Sequence, residues 1–129
     1  MKTLKTKLSA IILTGVVAAA MALPTFAASS STSAPGYGTL YGTITSSGRL
    51  TTSVSYNNDQ ATLLIGGTQA DRNGNTLVTQ QNLYSSRGAK SFNATWTNIF
   101  SNTYALYGAH GVQGGSTHGA SATYTYTKV

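Results

Sequence analysis

The residues best suited to acid–base or metal chemistry are few in this chain of 129 residues. His110 and His118 are its two histidines, Asp59 and Asp71 are its two side-chain carboxylates, and it contains neither cysteine nor glutamate. Glycoside hydrolysis needs two carboxyl groups flanking the scissile bond, and zinc sites need three or four protein ligands. This shortage predicts a protein that is not an enzyme and that holds no metal or other cofactor.

A nucleophile with a neighbouring base is the remaining catalytic arrangement to consider. Ser116 and His118 are two residues apart, so on a strand they would face the same side. A third, orienting acid would have to be Asp59 or Asp71, and both fall in predicted turns. The stretch also lacks the glycine two residues after the serine that a nucleophile elbow requires. A small hydrolase is therefore the least favoured function class.

Four side chains are the candidate binding residues: Tyr41, Tyr107, His110 and His118. Each of these tyrosines falls on the strand face opposite its apolar neighbours, because strand side chains alternate between two faces. Both are therefore expected to be exposed, where a tyrosine between small residues suits sugars or protein partners. The two histidines flank a predicted glycine-rich hairpin turn, which would bring them close to cross-strand partners.

Residues 71–75 place side-chain oxygens at their first, third and fifth positions, as at the start of a calcium-binding loop. The similarity ends there, because Thr76 stands where such a loop has glycine and Asn82 where it has glutamate. The same segment contains Asn73 and Gly74, a pair typical of tight hairpin turns because both residues tolerate positive φ. A hairpin turn is the favoured interpretation.

The elements that must position these residues are strands. Strand-forming residues alternate with a period of two and are separated by clusters of Gly, Asn, Asp and Ser. The predicted strands cover residues 38–45, 49–57, 61–69, 76–84, 89–97, 103–113 and 117–128. About seven short strands joined largely by hairpins predict an all-β fold, a small antiparallel β-sandwich, with a small β-barrel as the alternative.

Two details of the strand pattern bear on the core. Trp96 shares a face with the other aromatic residue of its strand and is expected to lie in the core. On the last strand Tyr124 and Tyr126 share one face, opposite Thr123 and Thr125. This alternation predicts one buried and one solvated face.

The first 27 residues have the organisation of a secretory signal peptide. Three lysines within the first seven residues precede an apolar stretch over residues 8–23, and Thr25 and Ala27 match the small-residue pattern that signal peptidase reads. The expected cleavage lies between Ala27 and Ala28. The chain therefore divides into a cleaved signal peptide (1–27), a flexible Ser/Thr-rich leader (28–36) and a single β-sandwich domain (37–129) of a secreted protein.

Removal of the signal peptide changes the charge. The full chain has a formal net charge of +6, whereas five cations and two anions remain in residues 28–129, which leaves about +3. These cations are spread along the chain, which argues against a nucleic-acid partner. A mild positive charge favours a cell wall or an anionic envelope surface as partner, and exposed tyrosines suit another protein. No membrane span is expected after cleavage.

These features favour a small secreted, non-enzymatic bacterial protein that acts as a cell-envelope or extracellular binding module. A bacteriocin-like antagonist of other bacteria is the alternative, because small size, mild positive charge and a composition rich in Gly, Ser, Thr and Tyr also suit that class. Whether Tyr41, Tyr107, His110 and His118 share one exposed surface is the question that the structure must answer.

Overall fold

The computed structural model describes residues 28–129. The predicted signal peptide (1–27) lies outside the described residues, and the predicted cleavage site lies at their boundary. Eight strands form within this range, one more than the pattern predicts. They are β1 (Ser29–Ala34), β2 (Gly38–Ile44), β3 (Arg49–Val54), β4 (Thr62–Ala70), β5 (Thr76–Tyr84), β6 (Ser91–Thr95), β7 (Ala105–Gln113) and β8 (Ser121–Lys128). Residues 28–129 include no helix with the length and apolar character needed to cross a membrane.

The strands form two four-stranded antiparallel sheets that face each other. Sheet A has the strand order β1-β2-β3-β6, and sheet B has the order β5-β4-β7-β8. Three loops, at residues 55–61, 85–90 and 96–104, carry the chain from one sheet to the other. The sheets stay separate and do not close into a barrel, so residues 28–129 form the antiparallel β-sandwich that the sequence predicts.

Strand β1 occupies the segment that the sequence analysis expects to be a flexible leader, residues 28–36. It pairs antiparallel with β2 along its whole length. Its last residue, Ala34, is fully buried in the core, and Ser30 Oγ lies 2.5 Å from Thr123 Oγ1 of sheet B. A strand of serines and threonines carries almost no apolar signal. Its order comes instead from backbone pairing with β2, which composition does not reveal.

The interior between the sheets has two apolar halves. The first consists of Ala34, Tyr37, Leu40, Val54, Ala61, Leu63 and Val112. The second consists of Ile44, Leu50, Ile65, Trp96 and Leu106. Trp96 is only 4% exposed, which confirms its predicted place in the core. Full burial of a leucine- or isoleucine-sized side chain stabilises a fold by roughly 1.5–3 kcal/mol, so both halves contribute substantially to stability.

A polar layer separates these two halves. Gly42 of β2, Thr52 of β3 and His110 of β7 each lie between inward-facing residues of the two apolar groups, and Thr125 of β8 completes the layer. His110 and Thr125 have no exposed surface. A Cβ atom at Gly42 would overlap the ring of His110. The imidazole therefore fits because β2 has no side chain at that position.

The β4–β5 connection is the hairpin turn predicted for residues 71–75. Asp71 Oδ1 accepts hydrogen bonds from the backbone N–H groups of Asn73 and Asn75, both at 2.9 Å. Gly74 has a φ of 89°, in the region that glycine adopts without steric cost. The N–H of Asn75 is the largest of the effects that lower the pKa of Asp71. The carboxylate considered as a calcium ligand is therefore part of the turn.

The contact between Gly42 and His110 leads to a stability test with an internal control. We expect Gly42→Ala to lower the free energy of unfolding by about 1–3 kcal/mol, because the imidazole must move away from both of its partners. Gly119→Ala is the control, since a Cβ at Gly119 meets nothing within 4 Å, and its effect should stay within about 0.5 kcal/mol. Urea unfolding followed by Trp96 fluorescence measures both. Equal losses for the two variants would contradict this role of Gly42.

Candidate functional site

His110 is enclosed between the two sheets and hydrogen-bonded to both of them. Its Nδ1 lies 2.9 Å from Thr52 Oγ1 of sheet A, and its Nε2 lies 2.7 Å from Thr125 Oγ1 of sheet B. The Thr52 hydroxyl donates a hydrogen bond to the carbonyl of Leu64 at 3.0 Å, so the Thr52 oxygen accepts a hydrogen bond from the N–H at Nδ1 of His110. We therefore assign the neutral tautomer with the proton on Nδ1. Nε2 then accepts a hydrogen bond from the hydroxyl of Thr125.

Burial also determines the charge of His110. Removal of the imidazole from water lowers the pKa of His110 from 6.5 to about 4, because the charged form loses its hydration. A side chain without exposed surface does not reach an external ligand. The structure thus places His110 in the interior, joining the two sheets, and not on a binding surface.

His118 lies apart from His110, in the loop that joins β7 to β8. Its side chain is exposed, and its ring packs edge-on against the ring of Tyr37, with centroids 5.7 Å apart. On the neighbouring strand His110 pairs with Thr123. The two histidines are therefore not the cross-strand neighbours that the hairpin pattern suggests.

Asp59 holds the loop that carries His118. Its carboxylate accepts the backbone N–H of Thr117 at 2.9 Å, the backbone N–H of His118 at 2.9 Å and the hydroxyl of Tyr37 at 2.8 Å. These donors, with the His118 N–H as the largest effect, lower the pKa of Asp59 to about 2 against the opposing effect of desolvation. Burial, reinforced by the bond to Asp59, raises the pKa of Tyr37 to about 12.

This arrangement limits the acid–base chemistry available near Ser116 and His118. Asp59 contacts the backbone of His118 and not its imidazole, so it does not orient that ring. A carboxylate with a pKa of about 2 is also a weak general base at neutral pH. Within residues 28–129, no three or more His, Cys, Asp or Glu side chains are grouped so that they could hold a metal ion.

Tyr107 lies on the face of sheet B that points away from sheet A, but only 4% of its surface is exposed. Its ring packs against that of Tyr126, with centroids 5.2 Å apart, in a cluster that includes Ala70 and Ala105. Burial is also the main cause of its raised pKa. The exposure expected for Tyr107 is not observed, because neighbouring tyrosines on the same sheet face cover one another.

Tyr41 has the exposure that the alternation predicts. Its side chain is 47% exposed on the outer face of sheet A, while Leu40 and Ile44 point into the core and Gly42 faces His110. The four candidate residues therefore do not share one surface. Two are buried, one lies in a loop, and Tyr41 lies on the open face of a sheet.

Around Tyr41, sheet A presents hydroxyl side chains to solvent. This outer surface, named here the hydroxyl face, consists of Ser29, Ser31, Ser33, Thr39, Tyr41, Thr43, Arg49, Thr51, Ser53, Ser91, Asn93 and Thr95. These positions alternate along each strand with the residues that point towards sheet B. The set contains one aromatic ring and one cation, and it has no carboxylate and no aliphatic side chain.

Strand pairing arranges the hydroxyl face in rows. One row crosses all four strands through Ser31, Tyr41, Ser53 and Ser91. The adjacent row crosses them through Ser29, Thr43, Thr51 and Asn93. Neighbouring strands are about 4.8 Å apart, and residues two apart on one strand are separated by about 6.7 Å. The face is therefore a regular array of hydrogen-bonding groups with Tyr41 near its centre.

A shallow groove of about 330 Å³ opens beside Tyr41. Its lining residues are Ser29, Ser30, Ser31, Tyr41, Gly42 and Thr43. The groove thus combines the apolar face of one aromatic ring with several hydroxyl groups. A sugar ring matches this combination, since it presents C–H groups on its faces and hydroxyl groups around its edge.

Strand alternation predicts the exposure of Tyr41 but does not reveal the hydroxyl neighbours that complete the surface. In β1 the outward-facing serines alternate with Ser30 and Thr32, so residue type does not distinguish the two faces. The contribution of β6 is not visible either, because β6 pairs with β3 from a distant part of the chain. Residues contributed by β6 can be placed beside Tyr41 only when the pairing of the strands is known.

Comparison with known protein families, with curated protein sequences and with solved structures finds no match to this chain. Tyr41 is the predicted site residue that belongs to the hydroxyl face.

The buried neutral His110 makes stability depend on pH in a defined window. Its pKa is about 4 in the folded protein and 6.5 ordinarily, so the unfolded chain binds more protons between these values. We expect the free energy of unfolding to fall by about 3 kcal/mol as the pH drops from 7 to 4. Urea unfolding at several pH values measures the slope. His118→Gln should keep the slope and His110→Gln should lose it; a wild-type stability that stays constant over this range would contradict the assignment.

The Asp59 carboxylate makes a separate contribution at lower pH. Its folded pKa is lowered to about 2, so the stabilisation is present above pH 4 and is lost as the pH falls towards 2. We expect Asp59→Asn to lower the melting temperature at pH 7 by several degrees, and Tyr37→Phe, which removes one of the donors, to lower it less. Calorimetry measures both, and the gap between wild type and Asp59→Asn should narrow near pH 2. Equal melting temperatures at pH 7 would rule out this role of Asp59.

Proposed function

We propose that the chain is a small secreted, non-enzymatic bacterial protein that binds a glycan of the cell envelope through the hydroxyl face. The observation that carries this proposal is Tyr41, a ring 47% exposed on the open face of a four-stranded sheet. Ser31 and Ser53 flank it on the two neighbouring strands. The signal-peptide pattern of residues 1–27 supports a task outside the cell.

The chemistry of the face suits a sugar chain. A tyrosine ring provides a flat apolar surface for the C–H groups of a pyranose, and its hydroxyl remains available for hydrogen bonding. Serine and threonine hydroxyls both donate and accept, so they replace the water that surrounds sugar hydroxyls without leaving unpaired groups. A regular array of such groups matches a ligand that repeats its hydroxyls along its length.

A protein partner fits this face less well. Protein interfaces have a core that is enriched in aromatic residues and methionine, surrounded by a polar rim. The hydroxyl face has Tyr41 as its single aromatic residue and has no aliphatic side chain. Its small hydroxyl side chains would leave a protein partner little apolar surface to bury, and this favours a polar polymer.

The scaffold behind the face favours binding without catalysis. Tyr41 and its neighbours lie on paired strands, so their positions are set before a ligand arrives and little ordering is needed on binding. The titratable side chains that could take part in acid–base chemistry have structural roles instead. His110 joins the two sheets, and Asp59 holds the backbone of the β7–β8 loop.

Tyr41 provides the direct test of this function. We expect the secreted protein to sediment with insoluble peptidoglycan, and Tyr41→Ala to weaken this binding about tenfold through the loss of ring stacking. Tyr56→Ala is the matched control, because Tyr56 is 46% exposed and lies outside the hydroxyl face; its binding should equal that of wild type. Circular dichroism verifies that both variants are folded. Equal binding by the two variants, or no binding by wild type at low salt, would refute the proposal.

A further inference from the structure

We propose that the glycan bound by the hydroxyl face is anionic and that Arg49 contacts its acidic groups. This inference rests on the proposed function, and it narrows the ligand to one chemical class. Arg49 is the single charged residue of the hydroxyl face, and its side chain is exposed. A guanidinium group offers planar paired donors that match the oxygens of a carboxylate or a phosphate.

Arg49 lies at a distance from Tyr41 that one short oligosaccharide spans. Tyr41 pairs with Ser53, and Arg49 is four residues from Ser53 on the same strand and the same face. Four residues extend about 13 Å along a strand and adjacent strands are about 4.8 Å apart, so the two Cα positions are about 14 Å apart. A chain stacked on Tyr41 would therefore reach Arg49 with a neighbouring sugar and not with the same ring.

The surface between the two residues is continuous and polar. The row that contains Thr43 and Thr51 lies between the row of Tyr41 and the row of Arg49. Thr43 also lines the groove beside Tyr41. A sugar chain leaving the groove towards Arg49 would thus pass over hydroxyl groups and would meet no apolar or acidic side chain.

The positive charge of Arg49 is not offset by any acid on this face. Residues 28–129 contain two side-chain carboxylates, and both are engaged in loops. Asp59 accepts backbone N–H groups of the β7–β8 loop, and Asp71 accepts those of the β4–β5 turn. An anionic ligand would therefore meet a cation with no competing carboxylate beside it, and the favourable interaction would weaken as salt is added.

The four other cations of residues 28–129 differ from Arg49 in their surroundings. Arg72 and Lys128 lie over the ring of Tyr104, at 4.8 Å and 5.5 Å from its centroid, and Tyr104 precedes β7 of sheet B. Lys90 lies in the β5–β6 loop, one residue before β6, and its carbonyl accepts the backbone N–H of Val54. Arg87 is an exposed arginine of the β5–β6 loop. Arg87 is therefore a suitable control, because it has the same charge but does not belong to the hydroxyl face.

One polymer in two charge states tests the inference. We expect the secreted protein to bind an oligogalacturonate about tenfold more tightly than the methyl ester of the same oligosaccharide, as one charge-assisted contact predicts. Arg49→Gln should abolish this preference, whereas Arg87→Gln should keep it. A glycerol phosphate polymer is the second anionic probe. Tighter binding to it than to the oligogalacturonate, again dependent on Arg49, would support the inference and identify phosphate as the acidic group.

The variants also separate failure of this inference from failure of the proposed function. If Tyr41→Ala weakens binding to every polymer while Arg49→Gln changes none, the ligand is a neutral glycan and the inference is overturned. Equal binding of the acidic and methylated polymers by wild type overturns it as well. If Tyr41→Ala changes nothing, the proposed function itself fails. Isothermal titration calorimetry at two salt concentrations measures all of these affinities.

Discussion

Two threonines, one from each sheet, form hydrogen bonds with the imidazole of His110 at the centre of the sandwich, where burial keeps the ring neutral. A buried polar group left without partners costs about 1–3 kcal/mol, so the ring is favourable only when both hydroxyls reach it. The bond between His110 and Thr52 joins sheet B to sheet A, whereas the bond between His110 and Thr125 lies within sheet B. A fully satisfied buried polar group of this kind favours one relative placement of the two sheets.

The strands that contribute to the polar layer also present their alternate residues to the solvent. Gly42 faces inwards with Leu40 and Ile44, and His110 occupies the space that a side chain at Gly42 would need. Strand alternation then turns Tyr41 and Thr43 outwards, and pairing aligns them with residues of β1 and β3. Residues of the hydroxyl face and the sheet A residues of the polar layer thus alternate along the same strands and lie on opposite faces of sheet A. Asp59 has a parallel role in the loops, where one carboxylate joins Tyr37 to the segment that carries His118.

Much of the fold follows from the sequence, and the departures have physical reasons. The period-two pattern predicts the seven strands that follow β1 and the exposure of Tyr41. It misses β1, because a serine-rich strand is stabilised by backbone pairing and shows no apolar periodicity. The alternation on β8 predicts one buried face, and its more apolar side carries Tyr124 and Tyr126. The structure instead turns Thr123 and Thr125 inwards, where Thr123 contacts Ser30 and Thr125 contacts His110. Hydrogen bonding decides this orientation, and side-chain polarity alone does not indicate it.

By itself the sequence determined the all-β class, the turn at residues 71–75 and the shortage of catalytic groups, because these depend on local propensity and composition. Tertiary structure alone decided that His110 is a buried link, that Tyr107 is covered by Tyr126, and that Tyr41 shares a face with residues of β6. Each of these facts requires strands distant in the chain to meet in a particular register. Burial and partners depend on that register, and no local pattern of residues encodes it.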